Sequence, residues 1–173
     1  IREKSKKSIE LFSLLNLLKM NKVSMEKIVM NDRLDLAVLS NLSNLHIPGH
    51  GLPLTNVKEY LPRMRVGQSI HTVAEAILAE KNKADYVLYG HCFETNCKSG
   101  IPPNGVHQLI EIKKSLNIPV YAIGGITPDH VFELREFNIN GIAVMSGIFS
   151  SKDPLEAALQ YYERCKFDYE TKL

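Results

Sequence analysis

The chain has 173 residues, with 21 lysines and arginines against 19 aspartates and glutamates and a formal charge of +2. That is enough for one domain with a sizeable core, and the near balance of charge leaves no electrostatic footprint for nucleic acid. No apolar run approaches the roughly 20 residues of a membrane-spanning helix, and the odd cysteine count without metal-type spacing fits reduced thiols in the cytoplasm.

Strand-like segments occur at Ile1–Arg2, Lys27–Met30, Asn44–Ile47, Arg65–Ser69, Asp85–Tyr89, Pro119–Ile123 and Gly141–Met145. Helical patterns separate most of them. Ser8 stands ready to cap Ile9–Lys19, where Ile9, Leu11, Phe12, Leu15 and Leu18 keep an apolar stripe. Thr72-Val73-Ala74-Glu75 reads as a capping box opening a helix to about Lys81. Val106–Leu116, Pro128–Phe137 and Pro154–Lys166 follow, the last two with proline in the first turn.

Strands alternating with helices imply a parallel sheet with crossover connections. Strand starts at 1, 27, 45, 65, 85, 119 and 141 lie 26, 18, 20, 20, 34 and 22 residues apart. This suggests an α/β fold, the TIM (β/α)8 barrel, with residues 1–173 as a single domain whose first βα unit is missing. Beginning at Ile1 rather than methionine agrees with a natural start further upstream. An open doubly wound sheet is the alternative, weakened by the lack of a glycine-rich dinucleotide turn after the first strands.

In such a barrel the chemistry sits at the carboxyl ends of the strands, and the last two loops commonly hold a phosphate. Gly124-Gly125 and Ser146-Gly147 occupy those two positions, with Met145 just before the second. Glycines there let backbone N–H groups turn toward an anion. His91 follows Gly90 at a strand end and can take and return a proton near neutral pH. It lies in the one long interval, Gly90–Gly105, together with Glu94, Thr95, Cys97 and Lys98. Glu94 is a candidate to orient His91, and Cys92 reads as a small packing residue. Arg2, Lys4, Asn31, Asp32, Ser69 and His71 end other strands and point to the same mouth. Arg33 is read with equal weight as a ligand contact or as a turn brace against Asp32 or Asp35. Asp32 alone makes a poor magnesium site, and His46, His50, His107 and His130 are set aside as surface or structural residues.

Several of these motifs together resemble the thiamine-phosphate-synthase superfamily, and within it the TenI-type thiazole tautomerases of bacilli. Ile1-Arg2-Glu3-Lys4, Met30-Asn31-Asp32-Arg33, Val66-Gly67-Gln68-Ser69, Ala122-Ile123-Gly124-Gly125-Ile126 and Val144-Met145-Ser146-Gly147 stand in that family's order and spacing. Two departures from synthases favour the tautomerase. His91 replaces a proline, with Thr95-Asn96-Cys97-Lys98 in place of a Thr-x-Thr-Lys stretch, and Ile47–Pro53 lacks the second magnesium aspartate.

The resemblance then implies aromatisation of a thiazole carboxylate phosphate tautomer in thiamine biosynthesis. His91 would be the proton shuttle, and Gly124, Gly125, Met145, Ser146 and Gly147 would hold the phosphate. Arg2, Lys4, Asn31, Ser69 and Lys98 would contact the rest of the small phosphorylated substrate. No metal and no cofactor is required, and no nucleic acid or membrane partner is expected; family barrels are often homodimers. A magnesium-dependent thiamine phosphate synthase, coupling hydroxymethylpyrimidine pyrophosphate to thiazole phosphate, is the first alternative. A non-catalytic phosphate-metabolite-binding regulator is the second.

Overall fold

In a computed structural model, which describes residues 1–95 and 100–166, the alternating pattern becomes an α/β fold of parallel strands and helices. Its contacts divide it into two compact units. The first takes in Ile1–Ser69 and Leu78–Tyr86, the second Ile70–Ile77 and the chain from Val87 onward.

The first unit opens with α1 (Ser8–Met20), whose Leu11 and Leu15 are buried. Ser8 is helical rather than the cap. Glu10 instead accepts a hydrogen bond from the Lys7 backbone N–H at 2.9 Å, which leaves the Ser8 hydroxyl free to accept one from Arg33 at 2.7 Å. A short 3-10 turn, Met25–Lys27, leads into β1 (Val29–Asn31). After it come α2 (Leu34–Leu39), β2 (Asn44–Ile47), α3 (Leu54–Tyr60) and β3 (Arg65–Ile70). β1 pairs in parallel with β2, Met30 opposite Leu45, and β2 pairs in parallel with β3, Leu45 opposite Val66. Met30, Leu36, Leu45, Ile47 and Val66 form the core of this unit, none more than 2% exposed.

The expected strand at Ile1–Arg2 does not form. Ile1 instead lies along β1, its carbonyl accepting from the Asn31 N–H at 3.0 Å. Six strands are therefore seen among the described residues, where seven were expected.

α4 (Val73–Lys81) begins in the second unit. Its capping box is shifted: Thr72 Oγ1 accepts from the Glu75 N–H at 3.1 Å, while the Glu75 carboxylate reaches one residue further back, to the His71 N–H at 2.6 Å. The second unit continues with β4 (Tyr86–Gly90), α5 (Val106–Ser115), β5 (Val120–Ile123), α6 (His130–Glu136), β6 (Gly141–Ala143), α7 (Ser146–Phe149) and α8 (Pro154–Lys166). β4 pairs in parallel with β5 and β5 with β6. Val87, Tyr89, Leu109, Ile112, Val120 and Ala122 are fully buried there. No helix is long and apolar enough to cross a membrane among the described residues.

Candidate active site

In the first unit β1 delivers Asn31 to its carboxyl end, and Asp32 follows with φ 64°. That left-handed step, tolerated by aspartate better than by most residues, turns the chain into α2. Arg33 is the turn brace. Its Nε and Nη2 donate to the two Asp35 oxygens at 2.9 and 2.6 Å, and this bidentate pair holds the Asp35 carboxyl below its ordinary range. A cavity of about 320 Å³ opens beside the turn, lined among others by Arg2, Lys4, Lys6, Asn31, Asp32 and His50. The structure thus brings Arg2, Lys4 and Asn31 together on one basic pocket.

Magnesium, which a synthase-type site implies, does not fit these residues. Among the described residues Glu3 and Asp32 are the only carboxylates on the cavity, against Arg2, Lys4, Lys6 and Arg33, and Ile47–Pro53 supplies none. Among the described residues no group of three histidines, cysteines or carboxylates is placed to hold a metal ion.

Ser69, at the carboxyl end of β3, belongs to a hydrogen-bonded chain that the sequence did not announce. Its Oγ lies 2.8 Å from His46 Nε2, and His46 Nδ1 lies 3.3 Å from the Tyr86 hydroxyl. His46 is 6% exposed. Burial, helped by the positive charge of Arg2, pushes its imidazole down to about 4, so the ring is neutral at neutral pH. A Cβ on Gly67 would fall 2.0 Å from Tyr86 Cζ, so glycine there admits the ring that meets His46. The available signal was Asn44 and His46 sharing one face of a strand otherwise made of Leu45 and Ile47. Buried polar side chains on such a strand must find partners.

In the second unit the long connection after β4 is fastened to itself. Asn104 donates from its backbone N–H to the His91 carbonyl and from Nδ2 to the Gly90 carbonyl, both at 2.9 Å. His71 Nδ1 also meets the Gly90 carbonyl. The Tyr89 hydroxyl sits 3.0 Å from the Gly105 carbonyl. His91 is 4% exposed, and its Nε2 is 3.1 Å from the Ile101 carbonyl. That carbonyl, and not Glu94, is the partner that orients the ring. A carbonyl can only accept, so Nε2 is the donor of this bond, and Nδ1 has no hydrogen-bond partner among the described residues. Cys92 is 1% exposed and burial pushes its thiol up to about 12, so it packs as an apolar residue. Cys97 and Lys98 lie outside the described residues.

The glycine pair has two duties. Gly124 and Gly125 have φ of 100° and 66°, the left-handed region that favours glycine. A Cβ on Gly124 would also fall 2.3 Å from His91 Cβ, and one on Gly125 2.2 Å from the Glu94 carbonyl oxygen. The backbone of Cys92 and Phe93 is bonded to the carbonyls of Ile123 and Gly124 at 3.0 Å each. The turn after β5 is thus pressed against the start of the β4 connection, a contact that spacing alone does not reveal. Met145 is 55% exposed and immediately precedes α7, which Ser146 and Gly147 open.

A family model described as thiamine monophosphate synthase matches residues 1–148. The chain belongs to the thiamine monophosphate synthase family. A thiamine-phosphate synthase of Clostridium tetani is 36% identical over 160 residues, 91% of this chain and 76% of the relative. Its namesake from Clostridium acetobutylicum is 33% identical over 154 residues, 88% and 73% of the two chains. Among solved structures, a thiamine phosphate pyrophosphorylase from Pyrococcus furiosus superposes with a TM-score of 0.83 at 27% identity, covering 95% of this chain and 80% of that one.

These family members carry the synthase name, and that overturns the tautomerase expected from the sequence. The expectation weighed two local departures, His91 and the missing second aspartate, above the likeness of the rest of the chain. With it goes the isomerase assignment and the part of His91 as carrier of the aromatising proton. The coarser conclusion stands: this is a family of thiamine-biosynthetic enzymes.

Proposed function

We propose that the chain is a thiamine phosphate synthase, joining hydroxymethylpyrimidine pyrophosphate to thiazole phosphate with release of pyrophosphate. The observation that carries this is 36% identity across 91% of the chain to a protein of that name. In the reaction the bond from the pyrimidine methylene carbon to the pyrophosphate oxygen breaks. A bond from that carbon to the thiazole ring nitrogen forms, using the nitrogen lone pair. The nitrogen carries no proton, so the step needs no proton carrier. A buried His91 with Nε2 committed to Ile101 accords with that chemistry.

The chain's own residues have three tasks in this scheme. Arg2 and Lys4, on the basic cavity with Asn31, bind the pyrophosphate and stabilise the charge it gains on leaving. The backbone N–H groups of Gly124 and Gly125, with Ser146, Gly147 and the backbone at Met145, hold the thiazole phosphate. Ser69, steadied by His46, acts beside Arg2 and Lys4 on the pyrimidine substrate, His91 acts beside Gly124 on the thiazole phosphate, and Lys98 supplies a further cation. No step is routed through magnesium, since the donor set does not fit it. The deciding experiment incubates the protein with both substrates and follows thiamine phosphate and pyrophosphate by chromatography. Equimolar formation of the two is expected; no product above the buffer control would refute the assignment.

A further inference from the structure

We propose that Tyr161 of α8 is a positioning residue that ties the two phosphate turns together, so that thiazole phosphate meets them in a fixed geometry. This rests on the phosphate assignment above but reaches beyond it, because α8 lies outside the residues matched by the family model, 1–148.

One hydroxyl touches both turns. Tyr161 is 7% exposed, and its OH donates to the Ile126 carbonyl at 2.8 Å. Ile126 directly follows the left-handed pair Gly124 and Gly125, so this bond fixes the peptide at the end of the first turn. The same oxygen sits where a side chain on Gly147 would be: a Cβ there would fall 2.3 Å from Tyr161 Oη and 3.2 Å from its Cζ. The first turn of α7 is therefore seated directly on the phenol. Two consecutive glycines have no side chains to hold their peptide planes, and the aim of their N–H groups depends on neighbours. Phe93 N–H bonded to the Gly124 carbonyl restrains one side, and Tyr161 restrains the other.

α8 does not depend on that hydroxyl to stay in place. Arg135 of α6 donates to the Arg164 carbonyl at 2.9 Å, the Arg164 guanidinium lies 4.8 Å from the Phe132 ring centroid, and it pairs with Asp129 at 3.8 Å. Tyr161→Phe should therefore keep the helix docked and the ring buried while removing only the tie.

The test uses the whole chain and two readouts. In the coupling assay Tyr161→Phe should raise KM for thiazole phosphate about tenfold, the scale of one lost hydrogen bond. KM for the pyrimidine pyrophosphate and kcat should stay within about twofold of the wild type. In calorimetric titration with inorganic phosphate, affinity should fall by a similar factor. Gly147→Ala should weaken phosphate binding in the wild type and add less in the Tyr161→Phe background, where the colliding hydroxyl is gone. A lowered melting temperature with both KM values unchanged would make Tyr161 a packing residue and overturn the proposal, as would strict additivity of the two substitutions. A wild type that binds phosphate but couples nothing would refute the synthase assignment while the titration still decides on Tyr161. A wild type that does not bind phosphate refutes the phosphate turns and the tie with them.

Discussion

His46 is the residue whose surroundings most change what it does. On an exposed loop it would titrate near its ordinary value; in the middle of β2, between Ser69 and Tyr86, it is held neutral, pushed down to about 4 by burial. A histidine whose folded value is depressed takes up its proton first in the unfolded chain, whose value stays near 6.5. Above about 6.5 neither state is protonated and the full stability is present. As pH falls from 6.5 toward 4 the unfolded state gains a proton that the folded state refuses, so stability drains away; below 4 the loss is complete. The total from this one group is up to about 3 kcal/mol. Urea unfolding between pH 4 and 7 should show that slope, and His46→Gln should flatten it. A slope unchanged in the variant would mean that His46 does not hold its proton off in the fold.

At the scale of elements, Asp85 does the joining that local propensity cannot. Its Oδ2 accepts from the Val66 N–H at 2.6 Å, at the start of β3, and from Lys58 Nζ at 2.7 Å, on α3. The Lys58 side chain is only 13% exposed. Asp85→Ala should therefore cost about 2–3 kcal/mol, since it leaves the Val66 N–H unpaired and takes the counter-charge from a largely buried ammonium, which keeps only the neutral Met64 carbonyl at 3.1 Å. Lys58→Ala should cost less, because Asp85 keeps its backbone partner. Denaturant titration of the two variants checks the order, and equal losses would contradict it. Asp85 also shows what sequence pattern conveys. Every strand but the first expected one lies within two residues of its predicted start or end, because apolar runs bounded by glycine, proline and polar residues are local signals. α2, α3 and α7, of six, seven and four residues, are too short to display a helical period. That Asn31, Ser69 and His91 stand at or just beyond strand ends was legible for the same local reason. His46, the Ile101 carbonyl facing His91, the collision that keeps Gly125 bare and the reach of Tyr161 were not, because each depends on a partner 10 or more residues away.

At the scale of the whole molecule the net charge of +2 is too small to draw anionic substrates in by a general field. Attraction has to come from local groups, and the two candidate anion sites differ in kind. Arg2, Lys4 and Lys6 on the first-unit cavity are exposed full charges, within reach of dissolved ions. The turns at Gly124-Gly125 and Ser146-Gly147 would instead offer backbone N–H groups and a hydroxyl, short-range donors on turns packed against the β4 connection and Tyr161. Screening acts on the first kind far more than on the second: the Debye length falls from about 10 Å at 0.1 M salt to about 3 Å at 1 M. Raising sodium chloride from about 0.1 to about 1 M should therefore increase KM for the pyrimidine pyrophosphate several-fold and leave KM for thiazole phosphate nearly level. Arg2→Ala should raise the first KM at low salt and blunt its further rise. If both constants climb in parallel, the division of labour between a cationic pocket and a pair of backbone turns is wrong, and the two phosphates are held by the same groups.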